Sequence, residues 1–318
     1  MKVRAARLVH HDQPLEIQEV ELPDPGPNEV LVDLAYGGVN PVDRYTAQGR
    51  VAPDSPTPRT LGSEAAGLVD SRPFAVRGHG LGARRDGLWA TAAVVPRDAL
   101  VQVPDGIDLQ LAAAMGVAGV TAFRCVTERA QVTAGDRVLV LGASGGVGSI
   151  AVSIAAGLGA TVWGQTGSAA KADWVRERGA EHVVVCDADG LVDAARELRP
   201  TVVLDPLGDG FTGAAIELLD NHGRLVLFGT SAAPTGEVPL QQLYRKGLVV
   251  HGYAGLIETD DAIASGMRGA FEAARAGRLD VVVDRVLPLD EVEEAFRLLA
   301  DRGVRGKLLL DLSSSAVS

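Results

Sequence analysis

From Val138 to Ala170 the chain carries no group that is ionised at neutral pH, and Gly142, Gly145, Gly146 and Gly148 crowd its opening part. By hydropathy alone a run this long could span a bilayer. The glycines argue against one continuous helix, because each costs about 1 kcal/mol relative to alanine in a helix interior. The stretch divides instead. VLVL, from Val138, reads as a fully buried strand, GSIAVSIAAGLG as a helix ending at glycine, and ATVWG as a second strand. Strand, glycine turn, helix and strand make a βαβ unit, whose burial on both faces accounts for the missing charge.

The turn has a definite chemistry. Ala143-Ser144-Gly145-Gly146-Val147-Gly148 has G-x-G-x-x-G spacing with alanine in the first glycine position. In that spacing Gly145 lets the backbone approach a pyrophosphate and Gly148 lets helix and strand pack closely. The helix N-terminus adds free N–H groups and a partial positive charge. Ser144, Gly145, Gly146 and Val147 are therefore candidate cofactor contacts. Tight strand–helix turns use glycine as well, so the βαβ placement carries the weight. Downstream, HVVVC, TVVLD, RLVLFG and LVVHG read as further short strands alternating with helices, a doubly wound α/β pattern. Its ligand side lies at the strand C-terminal ends, where Asp205, Gly229 and Thr230 fall.

A site for NAD usually carries an acid at the end of the second strand, accepting from the ribose 2′-OH. Gln165 and Thr166 occupy that position, and Thr166, Ser168 and Lys171 offer donors to a 2′-phosphate. NADPH is the expected cofactor. Ser168 also suits the N-cap of the following helix, and Lys171 suits a solvated surface.

The 318 residues exceed one typical domain. Residues before about 115 have a different style, with proline-rich turns and short alternating strands. Near the C-terminus, Asp290 and Glu293 have capping-box spacing before a helix with Val292, Ala295, Phe296 and Leu299 as its apolar stripe. The formal net charge of −11 opposes a nucleic-acid partner. Two distant cysteines make neither a disulfide framework nor a zinc knuckle, and the N-terminus has no signal-peptide core. The expectation is a cytoplasmic protein with no membrane association and a frayed Ser-Ala tail.

GGVNPVDRYTAQG, TLGSEAAG, AAAMGVAGVTAF, GASGGVGSIAVSIAAGLGA, FGTS and GVRGKLLL occur in this order over almost the whole chain. Together they resemble the medium-chain dehydrogenase/reductase superfamily, most closely its zinc-free quinone oxidoreductase branch. The resemblance implies an α/β protein with a GroES-like β-rich catalytic domain and a Rossmann nucleotide domain with a doubly wound parallel sheet. The implied bounds are 1–117 for the catalytic domain, 118–256 for the NADP-binding domain, and 257–318 for a segment returning to the first. It further implies an active site in the interdomain cleft and a homodimer joined near Leu248–Gly252.

Zinc-dependent relatives place Cys and His where this chain has Val39-Asn40 and Ser63, and the structural-zinc cysteines are absent as well. Hydride transfer without a Lewis acid favours acceptors that are already electrophilic, quinones or α,β-unsaturated carbonyls. On the resemblance, Asn40 and Tyr45 orient the acceptor oxygen and Asp43 buttresses their loop. Thr121 holds the nicotinamide carboxamide, Phe228, Gly229 and Thr230 line the ring, and Lys307 helps hold the cofactor. Bland alternatives stand beside these: Asn40 as a turn residue before Pro41, Tyr45 as packing, Lys307 as a solvated charge. His79 is either a local proton donor or a structural histidine. The alternatives for function are an enoyl or ketone reductase of natural-product biosynthesis and a non-catalytic nucleotide-binding protein. Val51, where quinone reductases often have tyrosine, is a departure in the acceptor region.

Overall fold

The computed structural model describes residues 1–301 and 303–313; the rest of the expected Ser-Ala tail, 314–318, lies outside the described residues. The chain forms two compact units, one from Met1–Val120, Glu258–Phe271 and Val282 onward, the other from Thr121–Ile257 and Glu272–Val281.

The second unit is built on a six-stranded parallel sheet. In chain order its strands are Arg137–Val140, Thr161–Thr166, His182–Val185, Val202–Asp205, Arg224–Leu227 and Val249–Gly252. Their spatial order is third, second, first, fourth, fifth, sixth, the doubly wound arrangement with its reversal beside the first strand. The charge-free stretch is thus no membrane span. Its helix, Gly146–Gly157, buries Ile150, Ala151, Val152, Ile154 and Ala155, and the strand before it is closed to solvent from Val138 to Val140. No single helix among the described residues is long and apolar enough to cross a membrane.

The first unit is β-rich. The long strand Glu29–Val39 is its centre, pairing with Glu64–Val69, with Ala92–Pro96 and with the C-terminal strand Lys307–Asp311. The antiparallel register sets Leu308 opposite Val39 and Asp311 opposite Tyr36. The last strand therefore brings Lys307 beside the turn that carries Asn40. A core around Leu8, Val32, Leu61, Trp89, Phe296 and Leu310 fills the space behind this sheet.

Two local expectations are corrected. The helix near the C-terminus runs Val292–Ala300 behind a 3-10 turn, Leu289–Glu291, so the Asp290/Glu293 capping box does not form. Asp290 pairs with Arg4, and Glu293 accepts from the Leu15 amide at 2.8 Å. Tertiary partners thus outcompete the local cap. Ser168 precedes a short 3-10 turn, Ala169–Lys171, and its side chain makes no capping hydrogen bond.

Candidate functional site

The nucleotide turn forms as the glycines require, with one change of assignment. The left-handed residue is Gly142, at φ +57°, one position before the alanine expected to stand in for the first glycine. A Cβ on Gly148 would lie 2.3 Å from the Gly142 carbonyl oxygen, so close packing of helix on turn demands glycine there. Gly145 is exposed, and a Cβ on it would meet only that same oxygen, at 3.3 Å. The backbone at Gly145 is therefore open to a ligand. The amides of Gly146, Val147 and Gly148 begin a twelve-residue helix, where the first N–H groups have no intrahelical acceptor. Open backbone, free donors and the helix dipole fit a pyrophosphate.

Beside this turn, Thr166 is buried, and its Oγ1 lies 3.1 Å from Ser144 Oγ and accepts from the Ser168 amide at 3.3 Å. Three expected cofactor contacts are thus brought together through hydroxyls and one amide, with no acid among them. Lys171 closes the short turn that follows. At the end of the fifth strand, Phe228 and Gly229 are half-buried and Thr230 is exposed. A Cβ on Gly229 would approach the Pro206 carbonyl oxygen to 2.7 Å, which fixes glycine at that crossing. Asp205, at the end of the fourth strand, accepts from the Leu207 and Gly208 amides and from Thr212 Oγ1. Burial raises its pKa against those bonds. Its role is to hold the following turn. Thr121 sits buried in the helix Ala118–Arg124.

In the first unit, Asn40, Asp43, Glu64 and Lys307 form one buried polar cluster. Glu64 is wholly buried. Its Oε1 accepts from Asn40 Nδ2 at 2.6 Å and from Lys307 Nζ at 2.8 Å, and its Oε2 accepts from the Val117 amide. Room for this carboxylate comes from two glycines. A Cβ on Gly38 would fall 2.1 Å from Glu64 Oε1, and one on Gly116 would fall 2.7 Å from Oε2. Lys307 also donates to Asn40 Oδ1 at 2.5 Å and to the Val39 carbonyl at 3.3 Å. An ammonium has three protons, and these three acceptors use them all. The expectation that Lys307 helps hold a cofactor is therefore corrected: burial and three internal partners leave it none to offer.

Asn40 is tied into the same cluster. Its amide oxygen accepts from Lys307 and one of its two amide protons goes to Glu64, so it positions the loop, and the second amide proton keeps it a candidate donor to an acceptor. Asp43 accepts from the Asn40 amide at 2.9 Å and from the Ser63 amide at 3.0 Å, stitching the helix start to the turn before Glu64. Burial pushes its pKa up to about 6, opposed by the Ser63 hydrogen bond. Tyr45 lies on the helix Pro41–Ala47, half-buried, with the Arg50 guanidinium 4.5 Å from its ring centre. Its hydroxyl is the other acceptor-orienting candidate. His79 stands between Asp98, at 3.0 Å, and Asp260, at 3.3 Å, a structural bridge within the first unit.

Glu64 was missed by sequence reasoning. Its signal was an acid opening an otherwise apolar strand, EAAGLV, with glycine-rich segments elsewhere to make space. Among the described residues no three His, Cys, Asp or Glu side chains gather as a metal-ligand set.

Comparison with known proteins bears on these arrangements. The zinc-binding dehydrogenase family model matches residues 146–265, and the alcohol dehydrogenase GroES-like domain model matches residues 26–105. The chain is 30% identical over 322 residues to quinone oxidoreductase-like protein 2 of Mus musculus, covering 97% of this chain and 92% of that one. Quinone oxidoreductase 1 of Escherichia coli strain K12 is 29% identical over 317 residues, with 94% and 97% covered. Among solved structures, the quinone oxidoreductase from Thermus thermophilus, determined also in complex with NADPH, is similar with a TM-score of 0.86. It is 28% identical, and the match covers 97% of this chain and 100% of that one.

Proposed function

Because the chain belongs to the medium-chain dehydrogenase/reductase superfamily, in its quinone oxidoreductase-like branch, we propose that it is an NADPH-dependent reductase of quinones or α,β-unsaturated carbonyls that works without zinc. The observation that carries this reading is the glycine turn opening onto a helix N-terminus, flanked by Ser144 and Ser168 over the buried Thr166, with no carboxylate among them. An acid there would repel a 2′-phosphate; hydroxyls and amides can donate to it. The NADPH complex of the Thermus thermophilus relative supports the same cofactor.

The residues divide the work. The amides of Gly146, Val147 and Gly148 take the pyrophosphate, Thr121 the carboxamide, and Phe228, Gly229 and Thr230 the ring. Bound nicotinamide supplies the hydride. Tyr45 donates a hydrogen bond to the acceptor oxygen as negative charge develops on it. Asn40, locked by Glu64 and Lys307, fixes the start of the helix that carries Tyr45. Zinc independence is supported by the residues themselves. Val39, Asn40 and Ser63 stand at the matching positions, and the nearby Glu64 is already neutralised by Lys307. Conjugation in the acceptor lowers the barrier that a metal would otherwise have to lower.

A homodimer belongs to the same proposal. Among the described residues the strand Val249–Gly252 ends the parallel sheet, pairing there only with Arg224–Leu227, and Val249 and Val250 are 45% and 46% exposed. Leu240 and Tyr244, on the preceding helix, are more exposed still. Edge pairing with a second copy would cover all four. Sedimentation showing only monomer at micromolar concentration would remove this part.

The test of function is NADPH consumption across a panel of quinones, enones, simple ketones and aldehydes, with and without a strong chelator. Turnover of conjugated acceptors that survives chelation is expected. Reduction confined to simple ketones, or lost on chelation, would overturn the proposal.

A further inference from the structure

Gln165 occupies the end of the second parallel strand, where an acid reading the ribose 2′-OH would commonly stand. Its side chain does not face outward. It is 2% exposed, and both ends of its amide are engaged within the unit. Oε1 accepts from the Gly142 amide at 3.0 Å, and Nε2 donates to the Cys186 carbonyl at 2.7 Å. The Gln165 carbonyl also accepts from the Ala143 amide at 2.8 Å. One residue thus clips the left-handed Gly142 and its neighbour to the second and third strands.

Gly142 is the residue whose carbonyl oxygen underlies both Gly145 and Gly148. Its amide direction therefore sets where the phosphate-facing N–H groups point. We propose that Gln165 is a positioning residue that presets the phosphate-binding turn and takes no part in reading the ribose. This rests on the nicotinamide-binding reading above and assigns a device within it. Only a side chain with an acceptor and a donor at the same reach satisfies both ends. Leucine leaves a buried amide and a buried carbonyl unpaired. An ionised glutamate can accept from Gly142 but cannot donate to Cys186, and it turns a negative oxygen toward that carbonyl. A presets-only role also means that the loss falls equally on both cofactors, since a preorganised turn lowers the ordering cost of any dinucleotide.

The experiment is fluorescence titration of Gln165→Leu and Gln165→Glu with NADPH and with NADH, from about pH 5 to about pH 8, with melting temperatures recorded. Gln165→Leu should bind both nucleotides about tenfold more weakly, leaving their ratio at the unmodified value, and Gln165→Glu, whose charge also faces any 2′-phosphate, should weaken NADH by a similar factor. In Gln165→Glu the NADH affinity should recover on acidification relative to the unmodified protein, because the protonated acid both accepts and donates and NADH has no 2′-phosphate to repel. A residue that merely supports the fold would lower the melting temperature without that pH-dependent recovery. Unchanged affinity in both variants, or a loss in Gln165→Leu falling on one nucleotide alone, overturns the inference. Absence of binding of either nucleotide to the unmodified protein overturns the nicotinamide reading, and this inference with it.

Discussion

Lys307 Nζ lies 2.8 Å from Glu64 Oε1, and the two side chains are 3% and 0% exposed. An ion pair this deep is expensive to form, and its value lies in not being broken. Asn40, the Val39 carbonyl and the Val117 amide add further hydrogen bonds to it. The pair is a joint between the turn at Asn40, the strand from Glu64 and the C-terminal strand.

Removing one partner strands the other. Lys307→Met is expected to cost about 3–5 kcal/mol of stability, and Glu64→Gln a similar amount. The double substitution should cost clearly less than the sum, because it leaves no unpaired charge. Urea unfolding at neutral pH measures all three. Additive losses would show that the pair is not coupled as the distances state.

Asp43 predicts a pH dependence. Its folded pKa of about 6 exceeds the ordinary aspartate value of 3.8, so the folded state holds a proton that the unfolded state has released between those values. Its contribution to stability is therefore fully present below the unfolded pKa and declines as pH rises through about 6. The shift corresponds to roughly 3 kcal/mol at most. Other carboxylates titrate in the opposite sense, so the comparison is with Asp43→Asn. Stability of the unmodified protein relative to Asp43→Asn should fall from about pH 4 to about pH 7. A flat difference would refute the assignment.

The cofactor rim makes a third prediction. A charge-assisted bond to the 2′-phosphate contributes roughly 1.5–3 kcal/mol, or about 10- to 150-fold in affinity, so NADPH should bind that much more tightly than NADH. Thr166→Asp sets a carboxylate beside Ser144 and the Ser168 amide and should shrink or reverse the preference. Isothermal titration of both nucleotides decides it, and equal dissociation constants in the unmodified protein would count against the assignment.

Tyr45 and Asn40 should separate in kinetics. Tyr45→Phe removes the phenolic donor and should lower kcat about 10²- to 10³-fold at nearly unchanged NADPH affinity and melting temperature. Asn40→Ala should lower the melting temperature first, since it leaves Glu64 and Lys307 each short of a partner. Full turnover in Tyr45→Phe would move the search for the acceptor site to other residues.

The parallel sheet, the glycine turn and its helix were legible in the sequence because they rest on local patterns: an uncharged run, glycine spacing, and strands bounded by turns. The absence of an acid beside the second strand was equally plain. What Gln165 does with its amide was not, because its partners, Gly142 and Cys186, are each 21 or more positions away. The same holds for Lys307, which is 243 positions from Glu64 and meets it only because the last strand pairs with Glu29–Val39. A side chain's type announces the chemistry it can perform. Whether it offers that chemistry to a ligand or spends it on its own fold depends on burial and on long-range partners, and those exist only once the chain has closed on itself.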